Sequence, residues 1–84
     1  MKELELDVRG LEPPEPLERT LDAVAALQPG ERVRMVHNRE PCLLYPLLDK
    51  RGYRHIAEAK ADDHYEILIW RKGDNAAAPF GLVE

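Results

Sequence analysis

The sequence predicts a two-layer α/β (α+β) sandwich, a four-stranded mixed sheet with two helices on one face. Three observations lead there. Four short stretches alternate apolar and polar residues, two intervening stretches repeat apolar residues at helical spacing, and 84 residues leave room for little else. The order reads β-α-β-α-β-β. Strand–helix–strand crossovers take one hand, which lands both helices on the same side of the sheet.

The first strand covers residues 4–8, with Leu4, Leu6 and Val8 on one side and Glu5 and Asp7 on the other. Gly10-Leu11-Glu12-Pro13-Pro14-Glu15-Pro16 ends it, and proline suits the opening turn of the helix that follows, where its missing N–H costs nothing. Leu17, Leu21, Val24 and Leu27 form one helical face, Glu15 and Arg19 make an i,i+4 pair, and Gln28-Pro29-Gly30 stops the helix. Residues 32–37 alternate as a second strand. Asn38 or a neighbour is expected to cap a second helix with Pro41 in its opening turn and Leu43, Leu44, Leu47 and Leu48 as its apolar stripe. Pro46 then sits awkwardly in mid-helix, so that helix should be short and irregular at its start. Gly52 closes it. Residues 53–60 and 65–72 read as strands joined by a short hairpin connection at 61–64, and the last strand is apolar on both faces. The domain is expected to span 1–72, with 73–84 a flexible tail.

Twelve basic and sixteen acidic residues give a net charge of −4. Residues 1–31 carry −5 and residues 32–72 carry +3, a polarity suited to an oriented encounter with a partner. The overall sign argues against indiscriminate nucleic-acid binding. Cys42 is the single cysteine, so no intrachain disulfide can form. No signal-peptide core opens the chain and no apolar run approaches bilayer length. A cytoplasmic location without membrane contact is the expectation.

The segment Leu6-Asp7-x-x-Gly10-Leu11-x-Pro13-Pro14-x-Pro16 resembles the opening signature of the SirA/TusA-like sulfur-carrier proteins, Leu-Asp-x-x-Gly-Leu-x-Cys-Pro-x-Pro. Gly30-Glu31, Glu40-Pro41 and Gly52 fit the same pattern, and the match runs over residues 4–71. The sulfur-carrying cysteine of that family falls at Pro13, which cannot hold a persulfide. The chain therefore looks like a cysteine-less branch of the superfamily, a family of small bacterial domains of unknown function. The resemblance implies a sheet order of 1-2-4-3 with the fourth strand antiparallel to the others.

Candidate sites follow from these placements. Cys42, near the second helix and by resemblance near Pro13, is a weak candidate for a relocated sulfur or redox thiol; the alternative is a small apolar residue packed beside Leu43. His37 and His64 end and begin strands at what the resemblance makes one edge, close to Arg39, and with Glu12, Glu15 or Glu40 they would form an acid–base cluster; their spacing matches no metal motif, and no cofactor is expected. Arg9, Glu12, Pro13, Pro14 and Glu15 make up the first loop. Arg34, with Arg32 beside it, and Trp70 would mark the sheet face opposite the helices. A basic face with an aromatic suits protein docking and, less well, RNA. The functional expectation is a monomeric, non-catalytic adaptor docking a redox, sulfur- or metal-handling protein through the loop edge and that face. The alternatives are a sulfur carrier using Cys42 and a nucleic-acid-binding regulator.

Overall fold

The computed structural model describes residues 2–79. Six elements follow one another: β1 (Lys2–Asp7), α1 (Glu15–Ala25), β2 (Glu31–His37), α2 (Leu44–Lys50), β3 (Tyr53–Ala61) and β4 (His64–Arg71). The sheet order is β1-β2-β4-β3. β1 and β2 are parallel, and β4 runs antiparallel to both β2 and β3. The architecture is the mixed-sheet α+β fold expected from the sequence.

Alternation sorts the strands into two faces. Val33, Met35, Ile67 and Ile69 are buried with Val24 of α1 and Leu44 and Leu48 of α2, joined by Val8 and Leu27, and Leu4 and Leu6 pack against them. This is the helix-covered core. The spacing of Leu44 and Leu48 places both on one side of α2.

α2 begins later than the sequence suggests. Leu43 occupies its N-cap and no side chain caps it; Asn38 donates to His37 instead. The later start resolves Pro46, which now stands in the first turn, where a missing N–H breaks no bond. It also places Leu43 outside the stripe assigned to it, at 83% exposure. Gly52, at φ +87, follows the helix in the left-handed conformation that only glycine adopts without strain.

The second face is not bare. Residues 73–79, read from sequence as the start of a flexible tail, fold back over it. Ala77 is buried against Leu68 and Trp70, with Ile56 and Ala78 alongside. The Arg32 guanidinium donates to the Ala77 carbonyl at 3.3 Å. Residues 80–84 of the expected tail lie outside the described residues. No helix among the described residues is long and apolar enough to cross a membrane.

Candidate functional site

The loops after β1 and after β2 lie side by side at one edge of the helix layer. Gly10, at φ +80, turns the chain out of β1. Glu12, Pro13 and Pro14 then lead into α1, with the Pro13–Pro14 bond cis. The α1 opening turn is held by Glu15, whose N–H donates to the Glu12 carbonyl at 2.9 Å, while its carboxylate meets Arg19 at 2.7 Å. Across from this loop, Arg39, Glu40, Pro41 and Cys42 bridge β2 to α2.

Between the loops is a groove of about 320 Å³. Its walls are largely apolar: Leu11, Pro13, Pro14, Pro16 and Leu17 from one side, Pro41, Leu43 and Leu44 from the other, and Met35 at the floor. His37, Arg39, Glu40 and Cys42 supply its polar atoms. Cys42 and Pro13 thus line one groove, the nearness that the resemblance implied. Cys42 is an exposed free thiol, not a packed apolar residue. α2 starts two residues after it and runs seven residues.

His37 is only 6% exposed. The Asn38 backbone N–H donates to its Nδ1 at 2.8 Å, and the Asn38 side-chain Oδ1 lies 3.0 Å from the same atom. A backbone N–H can only donate, so while it bonds Nδ1 the neutral ring carries its hydrogen on Nε2. Arg39 is exposed and makes no ion pair among the described residues. Glu40 accepts from the Tyr45 hydroxyl at 3.2 Å. Burial, then the nearby Glu40 charge, pushes the Tyr45 hydroxyl well above its usual range.

His64 does not join this set. The register pairs His37 with Tyr65, so His64, one residue earlier, falls on the opposite face. There it meets Glu66 at 3.0 Å. Among the described residues no group of three or more His, Cys, Asp or Glu could hold a metal ion.

The second face carries an ion network in place of free cations. Glu3 accepts from Arg32 at 2.9 Å and from Arg34 at 2.6 Å, and Arg34 also pairs with Glu66. The hydrogen bond from Arg34 leads in holding the Glu3 carboxyl below its usual range; His64, then Arg34, does the same for Glu66. Arg9 grips Asp7 through Nε at 3.0 Å and Nη2 at 2.8 Å, which lowers Asp7 to about 2. Trp70 is on this face as expected but only 4% exposed. Of the candidate residues, then, Pro13, Pro14, His37, Arg39 and Cys42 share the groove. Glu12 and Glu15 flank it in an adjoining acidic depression with Glu18 and Asp22, whereas Arg9, Arg34, His64 and Trp70 belong to the second face.

Leu43 was not singled out from sequence, because an apolar residue next to a helical stripe reads as part of that stripe. The signal that would have found it is Pro46, since a start that puts this proline in the first turn leaves Leu43 outside the helix.

A family model described as an uncharacterized conserved protein (DUF2249) matches residues 5–71. No curated protein and no solved structure matches the chain.

Proposed function

The chain belongs to the DUF2249 family, and we propose that it is a monomeric, non-catalytic binding module that docks a protein partner in the groove between the β1–α1 and β2–α2 loops. One observation carries the reading: an apolar groove has at its rim a leucine that is 83% exposed. A large apolar side chain beside a concave apolar surface, with an arginine next to it that makes no ion pair among the described residues, is the composition of a protein interface. The second sheet face is left out of the docking surface, because Trp70 is packed under Ala77 and Arg34 is held by Glu3 and Glu66. The same pairing removes Arg32 and Arg34 as phosphate contacts and weighs against a nucleic-acid role.

The resemblance to SirA/TusA-like carriers supports the choice of partner class. Their reactive cysteine corresponds to Pro13, which lines the groove, and a branch without that thiol could keep the docking surface for sulfur-, redox- or metal-handling partners. In a reducing cytoplasm Cys42 would remain a thiol.

A peptide-display selection against the isolated protein tests the reading. Enriched peptides should perturb the backbone amides of Leu11, Glu12, Glu15 and Leu17 and those of residues 37–44 apart from Pro41, and Leu43→Asp should abolish their binding. Enriched peptides that map elsewhere, or no enrichment, would overturn it.

The exposure of Cys42 in the same groove favours one second reading, a sulfur carrier. In it the Cys42 thiolate attacks the terminal sulfur of a donor cysteine persulfide. A new S–S bond forms, the donor S–S bond breaks, and the donor leaves as thiolate. Incubation with a cysteine desulfurase and free cysteine should add one sulfur atom to the intact mass, and Cys42→Ser should prevent it. An unchanged mass ends this reading and leaves the docking module.

A further inference from the structure

His37 lines the groove with a ring nitrogen, Nε2, that no described residue uses. Its Nδ1 is occupied by the Asn38 N–H, so Nε2 bears a hydrogen in the neutral ring and in the cation alike. No described residue accepts from Nε2, which stays open to solvent although the residue is 6% exposed. Arg39 lines the same groove without an ion pair among the described residues. Glu40, the acid on the lining, is turned to the Tyr45 hydroxyl. One solvent-open N–H, one guanidinium without an ion pair among the described residues and an apolar floor complement a carboxylate carried on an apolar body.

We propose that the occupant of the groove is the C-terminus of a partner chain whose last residue is apolar. Its carboxylate accepts from His37 Nε2–H and pairs with Arg39, while its side chain lies against Met35, Leu11 and Leu44. This inference rests on the docking reading and names its ligand. Size selects a chain end over an internal acidic residue. A groove of about 320 Å³ is at the small end of binding pockets. At a C-terminus the carboxylate and the apolar side chain leave the same Cα. In an extended internal segment neighbouring side chains point to opposite sides, so an aspartate beside an apolar residue would carry its charge away from the floor.

The test is a selection from two peptide libraries, one displayed with a free randomised C-terminus and one with its termini internal to the display protein. Leucine-, isoleucine-, valine- or phenylalanine-terminated peptides should be enriched from the first library. Amidation of the selected peptides should weaken binding about tenfold or more, as loss of a charge-assisted contact does. Arg39→Gln should weaken the free acid similarly and leave the amide unchanged. His37→Phe, which keeps a ring at a buried position, should weaken it in the same selective way, with folding checked by circular dichroism. Groove-binding peptides insensitive to amidation or to Arg39→Gln would overturn the carboxylate inference and leave the docking reading standing. Failure of both libraries to yield groove-binding peptides would overturn both.

Discussion

The carboxylate of Asp74 accepts the backbone N–H of Gly30 at 2.8 Å, joining positions 44 residues apart in sequence. With the Arg32 bond to the Ala77 carbonyl, it fixes the segment after β4 across the second sheet face. Replacing the acceptor strands a partly buried N–H, which costs about 1–2 kcal/mol. Asp74→Ala should therefore lower stability by that amount in urea titration and raise acrylamide quenching of Trp70, the single tryptophan. Unchanged quenching would mean that Asp74 does not hold the segment down.

A sharper test of the same cover is Ala77→Asp. Ala77 has no exposed surface and touches Leu68 and Trp70. A carboxylate there must be desolvated beside an Arg32 already engaged by Glu3 or must push the segment away, and either course costs at least about 2 kcal/mol. The expected result is a larger fall in the urea midpoint than Asp74→Ala gives, with Trp70 emission shifted to the red. A stability equal to that of the wild type would show that the segment does not cover the tryptophan in solution.

Period and punctuation made the six elements readable. The paired faces of β2 and β4, Pro16 in the first turn of α1 and Gly30 and Gly52 at the stops all express local rules, and local rules are visible in a sequence. What sequence reading could not reach depends on pairing across distance. Arg32 and Arg34 read as a free basic face because Glu3, 29 and 31 residues away, is brought beside them only by the parallel β1–β2 register. Trp70 read as exposed because nothing periodic marks the segment that covers it. His64 was grouped with His37 at one edge, although alternation through Tyr65, Ile67 and Ile69 already puts it on the other face. The groove was half legible: two loops were known to meet, but the polarity of their meeting required the Asn38–His37 bond and the late start of α2.

Stability should fall with acidity in two separate windows. His55 is stacked on Tyr45 at 4.2 Å, its Nδ1 is buried without a hydrogen-bond partner among the described residues, and burial holds its ring below the usual imidazole range. The unfolded chain then binds a proton near pH 6.5 that the folded chain refuses, so stability declines as pH drops below about 6.5. The second window belongs to Glu3, Glu66 and Asp7, all lowered by hydrogen bonds from their partners, Arg34 for Glu3, His64 and then Arg34 for Glu66, and Arg9 for Asp7. Their contribution is complete above the ordinary carboxylate range and is lost as pH falls through and below about 4.5. Urea midpoints measured from pH 8 to pH 3 should show both declines. His55→Phe, which keeps the stacked ring, should remove the first and spare the second, and Glu3→Gln should reduce only the second. A pH 5–7 slope that survives His55→Phe would refute the assignment.

Leu43 and Leu44 are adjacent, chemically identical and opposite in role. Leu44 is 1% exposed and packs with Leu48 in the core, whereas Leu43 precedes α2 and projects into solvent at the groove rim. Leu44→Ala removes buried methyl groups and leaves a cavity, a loss of about 2–5 kcal/mol. Leu43→Asp touches no buried contact and should change stability by no more than about 0.5 kcal/mol. Binding should follow the reverse order. Leu44→Ala also trims one wall of the groove, so its ligands should bind somewhat more weakly wherever the protein is still folded, whereas Leu43→Asp, which places a charge beside an apolar site and repels a carboxylate, should abolish binding. Paired urea melts and peptide titrations on the two variants separate fold from function at neighbouring positions. Ligand binding that survives Leu43→Asp would move the docking surface off this groove.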